Sequence, residues 1–185
     1  MTTLIENHIR KILEIGCQIK KYDSLIVFLP EESKEIETIL LELRFEYKIK
    51  KIYFIKNNYE RLYEFLKLNP TDNEIKKYIK KYPKINKNFK VINFYTEDYS
   101  GYLYKLNYEI YDKYSKYLKN EYEINKEIYN ILEHLPKIIT PCPTYEWSKK
   151  LFGSKLKKDK LWNLVASTIP TKEELQEEIL KLKKI

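Results

Sequence analysis

Two hydrophobic periods alternate along this chain. Within 3–21, Leu4, Ile5, Ile9, Ile12, Leu13 and Ile19 fall at helical spacing. Tyr22-Asp23 reads as a turn. Ser24 then leads into the unbroken apolar run 25–29, the signature of a strand covered on both faces. Pro30-Glu31-Glu32 reads as the first turn of a helix, where proline and acids are favoured. Ile36, Ile39, Leu40, Leu43 and Tyr47 form its buried stripe. A second strand is expected over 51–55, then helices near 58–68 and 71–82. Thr71 and Glu74 have capping-box spacing at the start of the second of these. A third strand is expected over 89–94 and a short fourth over 137–140. Pro141 and Pro143 punctuate the end of the fourth, and helices follow over 144–152, 157–168 and 171–184. The segment 97–134 is the least legible. It is rich in Tyr and Lys, with Tyr108, Tyr111, Tyr114 and Tyr117 three apart.

Strands alternating with helices predict an α/β fold: a doubly wound, mainly parallel sheet of about four strands, helices on both faces and a helical C-terminal third. At 185 residues, the whole of 1–185 reads as a single domain. Hydrophobic residues make up 43%, enough for a core, and no run approaches the ~20 apolar residues of a membrane span. The start of the chain has no secretory signal pattern. Cys17 and Cys142 are too few for a disulfide framework and read as buried thiols, so a reducing, cytoplasmic location is expected.

The net charge of +8 raises nucleic acid as a partner. The lysines argue against it. Of 35 Lys and Arg, only Arg10, Arg44 and Arg61 are arginine, whose planar fork nucleic-acid readers favour. The lysines are spread among Ile, Asn and Tyr, as an AT-rich codon bias would produce. The tyrosine stripe reads as a face packed on the domain; a platform for stacked single-stranded bases is the alternative.

Familiar catalytic chemistry is poorly supplied. Gly16, Gly101 and Gly153 are the only glycines, and none builds a phosphate-binding loop after a strand. Glu31-Glu32 after the first strand and Glu97-Asp98 after the third would repel phosphate. They read as helix-start acids, or else as a weakly acidic crevice for a cation. His8 and His134 have no ligand spacing; His8 falls among polar positions of the first helix, and His134 suits a helix end. No residue is therefore assigned a catalytic, cofactor-binding or metal-binding role.

One segment carries more information. It runs Thr140-Pro141-Cys142-Pro143-Thr144-Tyr145-Glu146-Trp147-Ser148-Lys149-Lys150-Leu151-Phe152-Gly153, with Leu161-Trp162 beyond. It resembles a stretch of the aminopeptidase T/S family of metalloaminopeptidases: a short strand ending in Pro-Thr, then Trp-Ala, a basic pair, Phe, and later Leu-Trp. Ser148 stands where the family has Ala, and Gly153 where it tends to have Pro. The opening helix and the first strand through Pro30-Glu31 also resemble the family. Here Tyr22-Asp23 replaces a turn with Gly, and Lys48-Ile49-Lys50 replaces Gly-Ala.

The resemblance implies an enzyme that removes N-terminal residues from peptides at two divalent metal ions of the zinc, cobalt or magnesium type. It places the Glu, His and Asp ligands in a C-terminal catalytic domain beyond this chain. It also implies a dimer partner enclosing a chamber. The expectation is a non-catalytic N-terminal domain of such an enzyme, with the catalytic domain in cis and peptide as substrate of the full enzyme only. A free-standing interaction module derived from that domain and a lysine- and tyrosine-rich nucleic-acid binder are the alternatives.

Overall fold

The computed structural model describes residues 2–96, 108–154 and 157–168, together with 170, 173 and 174. The opening helix α1 (Thr2–Lys11) runs into a π-helical turn at Ile12–Gly16. Then come β1 (Ser24–Pro30), α2 (Lys34–Glu46), β2 (Lys51–Asn57), α3 (Tyr59–Lys67), α4 (Asp72–Tyr78) and β3 (Phe89–Tyr95). The chain continues through α5 (Tyr108–Glu133), β4 (Lys137–Pro141), α6 (Tyr145–Phe152) and α7 (Lys158–Ser167). The expected helix over 171–184 and the helix start expected at Glu97-Asp98 fall largely outside the described residues.

The four strands form one all-parallel sheet in the order β2-β1-β3-β4. Strand side chains alternate between faces, and the two faces of β1 enter different cores. Leu25, Val27 and Leu29 join Ile92 and Phe94 under α1, α2 and α7, with Ile9, Leu13, Ile36, Leu40 and Trp162 fully or almost fully buried. Ile26 and Phe28 face the other way, against Val91 and the α5 residues Ile128, Tyr129 and Leu132. A third cluster packs Leu62 and Leu66 of α3 against Ile110 and Tyr114 of α5. The sheet is thus covered on both faces, as the unbroken apolar run of β1 requires. No described helix is long and apolar enough to cross a membrane.

Local chemistry sets the boundaries. Pro30 is the last residue of β1, aligned with Asn57 of β2, and does not open the helix as the sequence suggested. The α2 helix begins at Lys34 after Ser33; of its expected stripe, Ile36, Ile39, Leu40 and Leu43 are buried, whereas Tyr47 lies just past the helix end and is half-buried. The capping box at α4 is complete: Thr71 Oγ1 accepts from the Glu74 amide, and the Glu74 carboxylate accepts from the Thr71 amide. At α6, Thr144 Oγ1 accepts from the Trp147 amide and Gly153 closes the helix at φ 69°. Proline's ring would hold φ negative, which explains glycine at this position. Ser148 is buried, and its hydroxyl donates to Ser154 O at 2.9 Å.

Tyr22 (φ 70°) and Lys48 (φ 52°) are left-handed, at the two places where the resemblance expects glycine nearby. A Cβ in that conformation costs about 1–2 kcal/mol. Lys48 is exposed, and its amide and carbonyl bond to Phe45 O and from the Tyr22 amide, which glycine would preserve. Lys48→Gly is expected to raise stability by about 0.5–1 kcal/mol once glycine's larger unfolded-state entropy is counted. Urea unfolding checks this, and a destabilised variant would show that the strain is absent.

Candidate functional site

Strand β1 lies between β2 and β3, so connections leave its carboxyl end region in opposite directions. Crevices at such switch points hold the ligands of open α/β sheets. Here the carboxyl ends of β1, β2 and β3 border an open cavity of about 840 Å³. Its floor includes Phe28, Tyr53, Ile55 and Asn93 from the strands. One wall is the start of α3, with Asn58, Tyr59, Arg61 and Leu62. Tyr78 ends α4, Lys80, Lys81 and Tyr82 follow it, and the α5 face supplies Tyr114, Tyr117, Glu121 and Tyr129.

The walls are fixed by bonds between elements. Asn58 caps α3: its Oδ1 accepts from the Arg61 amide at 2.7 Å, and its Nδ2 donates to Glu31. The Tyr82 amide donates to Asn125 Oδ1 at 2.7 Å, and Asn125 Nδ2 donates to Lys80 O at 3.1 Å. Tyr82 Oη donates to Glu121 at 2.7 Å and lies 3.3 Å from Tyr129 Oη. Burial, then the Glu121 charge, pushes the Tyr82 hydroxyl far up, so it stays protonated and holds α5 to the segment after α4. Tyr78 stacks on Phe65 with centroids 4.2 Å apart and meets Tyr117 edge-on at 6.4 Å.

The residues weighed from sequence are scattered. His8 is not among polar positions: it is 2% exposed, with Nε2 3.3 Å from Thr140 Oγ1 and its ring edge-on to Trp162 at 5.6 Å. Burial, and secondarily the charge of Lys11, lowers its pKa to about 4, so the ring is neutral at pH 7. His134 is exposed after α5. Cys17 and Cys142 are both buried free thiols, pushed up to about 11 and about 12, mainly by desolvation. Cys142 lies 3.2 Å from Ser33 Oγ with no imidazole among its described partners, so it is a poor nucleophile. Glu31 accepts from Asn58, and Glu32 accepts from the Tyr145 amide at 3.0 Å; both close loops rather than form an acidic crevice. Gly16 meets Ile138, whose Cδ1 would lie 2.1 Å from an added Cβ. Glu97, Asp98 and Gly101 lie outside the described residues.

The tyrosine stripe divides. Tyr114 and Tyr117 pack inward, whereas Tyr108 and Tyr111 are 89% and 58% exposed. A three-residue step drifts about 60° around a helix, so four such residues do not share one face. These four rings do not form a single stacking platform.

The implied dinuclear centre does not fit here. Among the described residues, no group of three or more His, Cys, Asp and Glu side chains converges to hold a metal ion.

These features define the molecule as a doubly wound parallel α/β domain with a ligand-sized crevice at its strand ends. Among solved structures, wild-type AmpT from Thermus thermophilus, an aminopeptidase, has a similar fold, with a TM-score of 0.67 at 14% identity. The likeness covers 89% of this chain and 43% of the AmpT chain, so this chain spans less than half of AmpT's length. No family model and no curated protein matches the sequence.

Proposed function

We propose that this chain is the non-catalytic N-terminal domain of a metal-dependent aminopeptidase that removes N-terminal residues from peptides. The observation that carries this reading is the fold likeness to AmpT over nearly all of this chain and under half of that one. The Thr144-x-x-Trp147 segment supports it: the residues that carry the resemblance form a helix-capping device at the end of β4, next to the buried Cys142. The pair of divalent ions, the catalytic domain in cis, the dimer partner and the peptide substrate all belong to the full enzyme in this reading.

Two measurements test it. The purified chain, given leucine p-nitroanilide with zinc, cobalt or magnesium, is expected to release no nitroaniline above the blank. Turnover proportional to chain concentration would place the active site here and overturn the proposal. The reading frame after the Ile185 codon is expected to encode a segment rich in Glu, His and Asp ligands. A stop codon with no such segment encoded beside it would favour the free-standing module instead.

A further inference from the structure

We propose that the crevice at the ends of β1, β2 and β3 is a binding site for a small planar molecule carrying an anionic group, with Arg61 as the residue that holds the anion.

The argument starts from the scarcity of arginine. In a chain that uses lysine almost everywhere, three arginines remain. Two make structural bonds. Arg10 forks onto Glu6 and Glu46, and Arg44 donates to the carbonyls of Ile49 and Lys50 at 3.3 and 2.9 Å. The Arg61 guanidinium makes no hydrogen bond or ion pair with a described residue, and it lines the cavity. An exposed planar five-donor fork with no partner among the described residues, beside a cavity, is suited to a bidentate oxyanion.

The surroundings agree. The lining carries Lys56, Arg61, Lys80 and Lys81 against Glu31 and Glu121. Both carboxylates already accept hydrogen bonds, from Asn58 and Tyr82, while Lys56 is paired with Glu37. Asn58 and Tyr82 are neutral donors, so both carboxylates keep their charge; with Lys56 paired outside the lining, Arg61, Lys80 and Lys81 outnumber them by one. The amino end of α3, capped by Asn58, borders the same space. The walls are aromatic: Tyr78 and Tyr117 line the same cavity as Arg61 and meet edge-on. Rings on the wall and a cation at the rim select a flat ligand with one charged end. At about 840 Å³ the space lies within the ~300–1,000 Å³ typical of small-molecule sites. The anion could be a phosphate or a carboxylate, and the probes below separate the two.

The 185-residue chain would be titrated with 1-naphthyl phosphate, 1-naphthoate and neutral 1-naphthol, followed by amide chemical shifts. One anion is expected to bind with shifts at Asn58, Arg61 and Asn93, and the naphthol at least about tenfold more weakly. The tighter anion names the ligand class. Arg61→Gln is expected to weaken that anion at least about tenfold, whereas Lys126→Gln, which removes one exposed charge elsewhere on α5, leaves it unchanged. Arg61 is exposed, so its variant should fold, and unchanged amide shifts outside the crevice verify this. Four results would overturn the proposal: no binding of either anion at millimolar concentration, shifts confined to another surface, naphthol as tight as the anions, or equal affinity in the two variants. Any of them leaves the aminopeptidase reading untouched, because the crevice argument does not use it.

Discussion

Replacing Trp162 with alanine is expected to cost about 3–5 kcal/mol of stability, the range for a large aromatic side chain lost from a core. Trp162 is fully buried, and it ties α7 to the same core as α1, α2 and β1. Its ring also packs edge-on against His8. A domain of this size is stable by roughly 5–15 kcal/mol, so the variant should lie near its unfolding midpoint under mild conditions. Trp162→Phe refines the test. It retains most of the volume and removes the indole N–H, which has no hydrogen-bond partner among the described residues. Its expected loss is below about 1.5 kcal/mol, because the smaller cavity is partly offset by deleting an unsatisfied donor. Urea unfolding of both variants provides the check. A loss under about 1 kcal/mol for Trp162→Ala would mean that α7 is not part of the core.

Acid should weaken the fold through His8. Its pKa is lowered from 6.5 to about 4. The unfolded chain therefore binds more protons than the folded one between these values, and stability must fall as pH falls through that window. The contribution is complete above about pH 6.5. By pH 4.5 roughly 2–3 kcal/mol should be lost. The geometry explains why protonation is resisted. Among the described residues, His8 Nδ1 has no hydrogen-bond partner and Nε2 meets the Thr140 hydroxyl. A charged ring would have two donors and one available acceptor. Exposed carboxylates such as Glu46 and Glu74, lowered by Arg10 and by Thr71, also titrate in acid. The diagnostic is thus the difference between wild type and His8→Leu over pH 7 to 4.5. Unfolding curves that remain parallel across that range would remove His8 as the cause.

Much of this fold is legible in the residues themselves. The apolar runs at β1 and β3, the stripe of α2, the Thr71 capping box and the α6 and α7 segments all appear where hydrophobic spacing puts them. The errors have identifiable causes. Pro30 resembled a helix start by composition, but it occupies the last position of a strand ladder, where its missing N–H is tolerated. His8 has polar neighbours in sequence, but it lies three residues after Ile5 and four before Ile12, on the buried face of α1. The crevice could not be read at all. Asn58, Arg61, Tyr78, Tyr117 and Asn93 come from separate stretches that only the parallel sheet brings together. The one available signal was an arginine kept among so many lysines.

The order β2-β1-β3-β4 has a consequence for synthesis on the ribosome. Strand β1 is central, yet one of its partners, β3, begins at Phe89, aligned with Ser24. An emerging chain can dock β2 against one edge of β1 early, but the opposite edge stays bare until β3, which ends at Tyr95, has left the exit tunnel. Leu25, Ile26 and Val27 are an aggregation hazard throughout that interval, so slowing elongation before β3 should raise the demand for nascent-chain chaperones.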